Sequence, residues 1–253
     1  MPLTKLKTAL SDSQQATAAN GWYPIFFENH DQIRCVNRYF PEGTDKQKAA
    51  KAMATILFTL RGTPFIYEGQ ELGMPIRPLP ASKTTMIFRR TASISWLWTK
   101  ALRRQRPCVS SRPTAATMSG RLCSGRRSPG RFYDGDTVLP VHDDYPQCCA
   151  EGEEADADSV LQYYRRIQAE RFNGEAAAIL QQGRYEELLA DDERIYAFKR
   201  ILDDQATLTL VNFTNETIEY DASLTDGATV LLGSYGAPEA GRLRPAEAVV
   251  YRL

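Results

Sequence analysis

The sequence predicts an α/β portion followed by an antiparallel β-sandwich. Two patterns carry that expectation. Residues 25–27 and 64–67 are short apolar runs, each flowing into a polar loop, and a helix-patterned stretch lies between them. Consecutive parallel strands need such a crossover. After Gly183 the chain changes to short alternating runs separated by turn residues, the mark of antiparallel strands.

Taken in order, Leu3, Leu6 and Leu10 at helical spacing predict a helix over 3–18. Asn20-Gly21 ends it, and Trp22 and Tyr23 lead into the first strand. Thr44-Asp45 caps the next helix, which carries Ala49, Ala52, Met53, Ile56, Leu57 and Leu60. Gly62 stops it and Pro64 opens the second strand. Residues 156–159 cap a further helix with Val160, Leu161, Tyr164 and Ile167. Residues 172–178 fit no element. Strands are expected at 185–189, 195–199, 207–213, 217–220, 229–232 and 248–253. Turns are expected at Asp203-Asp204, Asn212, Asn215, Asp226-Gly227 and Gly233.

Composition narrows the function classes. With 253 residues, 43% of them hydrophobic, the chain can bury a real core in one or two domains. A formal net charge of +0 gives no global pull toward nucleic acid or membrane. Residues 1–15 are polar and do not read as a signal peptide. No apolar run reaches the roughly 18 residues of a membrane span. The five cysteines (35, 108, 123, 148 and 149) lack metal-ligand spacing, so reduced thiols and a cytoplasmic location are expected.

The chemistry concentrates where the first strand ends, in FFENHDQIR (residues 26–34). An isolated Asn-His-Asp is more often a turn than a catalytic group, because those side chains bond back to the backbone. The second stretch, RGTPFIYEGQELGM (residues 61–74), shifts the balance, since it too places polar residues at a strand exit. Together the two resemble the last conserved region of glycoside hydrolase family 13 and the barrel strand after it. The oligo-1,6-glucosidase and α-glucosidase branch is most similar, with usual forms NHDQPR and GTPFIYQGEEIGM. Ile33 replaces the usual proline, and Glu68 and Gln70 swap the usual order.

The resemblance implies the C-terminal portion of a (β/α)₈ TIM barrel in residues 1–74, comprising its seventh and eighth strands. It further implies the last barrel helix region in 138–175 and a C-terminal β-sandwich in 180–253. Residues 75–137 behave differently. They hold 13 Lys and Arg against Asp134 and Asp136 alone, with six prolines, no period, and Trp96, Leu97 and Trp98 embedded. Basic composition suggests a nucleic-acid or anionic-lipid tether, or a basic disordered loop. A third reading accounts for more. Residues 75–90 can be back-translated so that the frame two bases later spells NTPLASIEDYDDISS, a family-like run. Residues 116–125 likewise yield NDVRTPMQW. Single-base losses near Met74, between Gly125 and Arg131, and near Val138 would shift and then restore the frame. The segment is therefore expected to be a frame-shifted, disordered translation.

Cleaving a glycosidic bond with retention takes two carboxyl groups about 5 Å apart. In the family a third carboxylate, in the Asn-His-Asp motif, holds sugar hydroxyls. The resemblance gives Asp31 that transition-state-stabilising role and makes His30 a substrate ligand. Arg34 and Arg38 are candidates to shape a neighbouring subsite, with pairing to a surface acid equally open for each. Glu68 and Glu71 are expected to be exposed loop carboxylates. The nucleophile and acid/base lie in earlier regions, beginning G-F-R-x-D, that this sequence does not contain. An inactive, poorly soluble C-terminal half of an α-glucosidase is the expectation, with a small oligosaccharide as substrate and no cofactor, metal, nucleic acid or membrane partner. The rivals are a carbohydrate-binding sandwich, using aromatics from Tyr185 to Tyr235, and a nucleic-acid binder using the basic middle. Asn212-Phe213-Thr214 has the form of a glycosylation acceptor but reads as strand.

Overall fold

The computed structural model describes residues 2–19, 21–76 and 148–253. The expected frame-shifted segment falls almost wholly outside them. Helix α1 (Leu3–Ala16) precedes strand β1 (Pro24–Ile25), and a short α2 (Cys35–Arg38) precedes α3 (Lys46–Thr59) and strand β2 (Thr63–Pro64). Beyond the break come α4 (Ala150–Ala155), α5 (Val160–Asn173) and α6 (Ala177–Gln182). Then follow β3 (Arg184–Leu188), β4 (Ile195–Leu202), β5 (Gln205–Asn212), β6 (Ile218–Glu219), β7 (Thr229–Gly233), β8 (Arg242–Leu243) and β9 (Ala248–Arg252).

Helix α3 is the centre of the molecule. The sequence shows one apolar stripe, yet the helix buries every residue from Ala49 to Thr59. A helix buried all round must satisfy its polar groups inside. Thr55 Oγ1 lies 2.7 Å from the Tyr163 hydroxyl of α5, and Lys51 Nζ donates to the backbone and carboxylate of Asp158 at the start of α5. The expected cap is present: Asp45 accepts from the Gln47 and Lys48 N–H groups at 2.9 and 3.2 Å. Asp45→Ala is expected to lower unfolding free energy by about 1 kcal/mol, as cap removal typically does. A urea titration followed by far-ultraviolet circular dichroism measures it.

Strands β1 and β2 run parallel, Pro24 opposite Thr63 and Ile25 opposite Pro64. The first strand was expected at 25–27, but its ladder stops at Ile25. Between α3 and β2 the chain must turn against the Tyr23 carbonyl. Gly62 makes that turn at φ +144, where any Cβ would run into this oxygen. No closed barrel forms among the described residues.

The C-terminal portion is a five-stranded antiparallel sheet of order β3-β4-β5-β9-β7, with β6 and β8 paired as a separate two-stranded ribbon. Strand alternation splits the residues between two cores. Tyr196, Phe198, Val211, Ala248 and Val250 face the helices with Met53, Ile56 and Leu57 of α3. Ile195, Ala197, Leu208, Leu210, Val249 and Tyr251 face the other way, and Ile218 and Leu243 of the ribbon cover them. The expected sandwich is therefore lopsided, one full sheet with a small ribbon on its outer face. The β4–β5 hairpin turns at Asp203-Asp204, as the sequence indicates, with Asp203 at φ +54.

The helical layer and the sheet are joined by two buried arginines. Helix α3 ends with carbonyls that have no partner inside the helix. Arg171 of α5 donates to the carbonyls of Phe58, Leu60 and Gly62 at 2.5, 2.8 and 2.6 Å. Arg200 of β4 reaches the Thr59 carbonyl at 2.7 Å, and the Leu180 and Gly183 carbonyls at 2.9 and 2.6 Å. Burial pushes Arg171 down to about 10 and, with Arg171 and Arg61 nearby, Arg200 down to about 9. Both stay charged at neutral pH, and their positive charge meets the negative end of the α3 dipole.

Among the described residues Cys35 and Cys149 form no disulfide, and the Cys148 thiol donates to the Leu72 carbonyl at 3.1 Å. Asn212 is fully buried, its amide donating to the Glu216, Leu243 and Arg244 carbonyls at 2.7, 3.2 and 2.8 Å. It is a strand-end tie closed to glycosylation, in line with the strand reading. Among the described residues no helix is long and apolar enough to cross a membrane.

Candidate functional site

The loop leaving β1 carries the Asn-His-Asp motif. Its shape comes from local turn chemistry: Asn29 Oδ1 accepts from the Asp31 N–H at 2.9 Å and the Asn29 carbonyl from the Gln32 N–H at 3.3 Å. That turn reading does not compete with the functional one here. It points His30 and Asp31 outward together, with Nε2 of His30 3.2 Å from Oδ2 of Asp31 and both side chains mostly exposed, at 76% and 69%. The carboxylate can accept hydrogen bonds and the imidazole can donate or accept them.

What fixes the loop is beneath it. Glu28 and Arg34 flank the motif and form a buried ion pair of 2.7 Å. Glu28 Oε1 also accepts the Cys35 N–H at 2.8 Å, and Arg34 Nη1 donates to the Glu68 carbonyl at 2.8 Å. The guanidinium lies 5.0 Å from the centre of the Tyr67 ring. The pair thus closes the loop on itself and fastens it to the exit of β2. Arg34 was expected beside a subsite or on a surface acid; it is 2% exposed and its partner is buried. Burial and the Glu28 carboxylate push the Cys35 thiol up, so this cysteine stays protonated and inert.

Arg38 points elsewhere. Its Nη1 donates to Gln32 Oε1 at 2.6 Å and its guanidinium lies over Tyr39 at 5.2 Å. It lines a cavity of about 340 Å³ with Tyr39, Glu193 and Phe213. A separate cleft of about 380 Å³ opens beside the motif, lined by Pro24, Phe26, Glu28, Asn29, Phe65, Ile66 and Tyr67. Of the two carboxylates set aside from catalysis, Glu68 is exposed as expected, whereas Glu71 is half-buried. Among the described residues no group of His, Cys, Asp and Glu is placed to hold a metal ion.

The aromatics between Tyr185 and Tyr235 offer no sugar platform. Tyr196, Phe198, Phe213 and Tyr220 are buried and Tyr185 is half-buried. Tyr235 is gripped between Lys48 and Arg244, 4.2 and 4.4 Å from its ring centre. Tyr196, Phe198, Phe213 and Tyr235 hold the sheet to the helical layer, whereas Tyr220 packs in the outer core beneath the ribbon.

Sequence and structure comparisons agree on kinship. The profile described as "Alpha amylase, catalytic domain" matches residues 1–183. The oligo-1,6-glucosidase of Heyndrickxia coagulans is 32% identical over 99% of this chain and 45% of its own length. The trehalose-6-phosphate hydrolase of Bacillus subtilis (strain 168) is 32% identical over 98% of this chain and 46% of its own. Among solved structures, Bacillus licheniformis trehalose-6-phosphate hydrolase superposes with TM-score 0.74 at 29% identity, covering 99% of this chain and 46% of that one. Isomaltulose synthase from Klebsiella sp. LX3 gives 0.75 at 26%, covering 100% and 46%. The chain spans about half the length of the curated relatives it matches. It belongs to the alpha-amylase catalytic-domain family, glycoside hydrolase family 13.

Proposed function

We propose that this chain supplies the sugar-holding part of a retaining α-glucosidase of the oligo-1,6-glucosidase type. The observation that carries the reading is the outward pair of His30 and Asp31 at the exit of a parallel strand, beside an open cleft. Strand exits are where parallel α/β folds place their chemistry. As positive charge develops on the sugar ring, a carboxylate bonded to ring hydroxyls strengthens its grip, and that difference lowers the barrier. Asp31 is assigned this role and His30 the donor beside it. Arg38 is assigned to shaping a neighbouring subsite. The nucleophile and acid/base must come from other strands, since the sequence holds no G-F-R-x-D motif. The kinship supports α-linked glucosyl disaccharides as the substrate class, with a phosphorylated disaccharide as the main variant.

Two assays test the reading. The purified chain alone is expected to leave an aryl α-glucoside intact; hydrolysis that Asp31→Ala abolishes would overturn the inactivity of the chain by itself. Once the remaining barrel strands are supplied, Asp31→Ala is expected to lower kcat/KM by about 10²–10³-fold, the usual scale for losing one transition-state contact. Unchanged turnover in that variant would remove Asp31 from the mechanism.

A further inference from the structure

Where the usual loop after the second strand reads Gln-Gly-Glu-Glu, this chain has Glu68-Gly69-Gln70-Glu71. The structure gives that swap a physical meaning. Gln70 is 2% exposed, and its Oε1 accepts the Tyr67 N–H at 3.2 Å. Burying an amide there costs less than burying a carboxylate. Glu68 is exposed. The swap therefore moves one negative charge from the inside of the loop to its surface.

Glu68 is tied to the Asn-His-Asp loop through its own backbone. Its carbonyl accepts from Arg34 Nη1 at 2.8 Å, and Arg34 is held at the base of that loop by Glu28. Two exposed carboxylates, Asp31 and Glu68, thus stand on the exits of adjacent parallel strands. The Lys and Arg side chains between Trp22 and Ile76 are engaged elsewhere. Arg34 is buried on Glu28. Arg38 donates to Gln32 and shares its cavity with Glu193. Lys46 donates to the Val36 carbonyl at 3.1 Å. Lys48 and Lys51 lie 3.8 and 2.8 Å from the Asp158 carboxylate, and Arg61 lies against Trp22. The exposed charge around the motif is negative.

A sugar hydroxyl can donate to either carboxylate, whereas a phosphate beside them meets like charge. We propose that Glu68 is a specificity residue of this site, whose carboxylate admits neutral glucosyl units and turns away phosphorylated ones. The inference rests on the reading of His30 and Asp31 as sugar ligands, and it chooses between the two substrate variants that the kinship supports.

The probes are glucose and glucose 6-phosphate, titrated into the full chain while the amide signals of residues 29–32 are followed by nuclear magnetic resonance. Glucose is expected to bind about fivefold more tightly, the scale of a dianion meeting exposed carboxylates in a high dielectric. Glu68→Gln is expected to close most of that gap by strengthening glucose 6-phosphate binding, with glucose affinity and circular dichroism unchanged. Salt at about 0.5 M, where the screening length is about 4 Å, should close it in the unsubstituted chain as well. Glu239→Gln, exposed beside Arg242 in the sheet portion, is expected to leave the ratio unchanged. Glucose binding without preference over glucose 6-phosphate, or a preference that survives Glu68→Gln, would overturn the proposal and leave the functional reading standing. Motif amides that do not respond to glucose would sink that reading, and the proposal with it.

Discussion

Arg171→Met is expected to destabilise the chain by about 3–5 kcal/mol, the range seen when one member of a buried charged network is removed. The substitution keeps much of the volume and removes the donors, leaving the Phe58, Leu60 and Gly62 carbonyls buried at the end of α3. Each orphaned acceptor costs about 1–3 kcal/mol, offset in part by no longer burying a cation. Domains of this size hold only about 5–15 kcal/mol in total, so the loss threatens the fold. Arg171→Lys is a sharper probe. It keeps the charge but cannot spread donors over three carbonyls as the planar fork does, so most of the loss should persist. Arg184→Ala, which breaks an exposed pair with Glu186, should change stability by less than about 1 kcal/mol. The measurement is a denaturant midpoint at constant m-value. Equal midpoints for the Arg171 and Arg184 variants would mean the α3 carbonyls find water or other donors.

The sequence carried more of this junction than residue type alone suggests. Val160, Tyr163, Tyr164, Ile167 and Arg171 fall on one helical stripe, and Tyr196, Phe198 and Arg200 on one strand face. The sequence reading nevertheless singled out neither arginine; both are buried because α3 ends in carbonyls that need donors. The Asp45 and Ser159 caps, the Asp203 turn and six of the sheet strands were readable for local reasons, since each depends on residues a few positions apart. Helix α6 was not, because its buried pair Ile179-Leu180 is too short to show a period. Strand β8 was missed for a similar reason: two residues cannot alternate visibly.

In the loop after β1, the turn at Asn29 that sets His30 and Asp31 outward was legible from local residue chemistry. Glu28 was not. It follows an apolar run, and nothing local says that its carboxylate turns inward to meet a guanidinium six residues on. That pairing exists only once β2 has placed Tyr67 and the Glu68 carbonyl against Arg34. The apolar exposure of Phe26 and Phe65 was hidden for a related reason. The sequence pattern marks them as strand residues facing a core, and only the three-dimensional arrangement shows that the face is open.

The Glu28–Arg34 pair should therefore control the loop before it controls the fold. Arg34→Met leaves a buried carboxylate with one remaining backbone donor, the Cys35 N–H, and an uncompensated buried charge costs about 3–5 kcal/mol. Glu28→Gln/Arg34→Met removes both charges and is expected to recover much of that loss, because two neutral groups no longer pay desolvation without a partner. A double-mutant cycle on the two positions should give a coupling well above the few tenths expected of unrelated sites. Global stability is only half of the readout. Hydrogen exchange at the Cys35 amide reports whether the loop still closes on Glu28. In Arg34→Met that amide is expected to exchange faster than amides in the middle of α3, because the loop loses its anchor to β2 while α3 keeps its own packing. If the Cys35 and α3 amides accelerate together, the pair is a global strut, and the placement of His30 and Asp31 must be credited to the Asn29 turn alone.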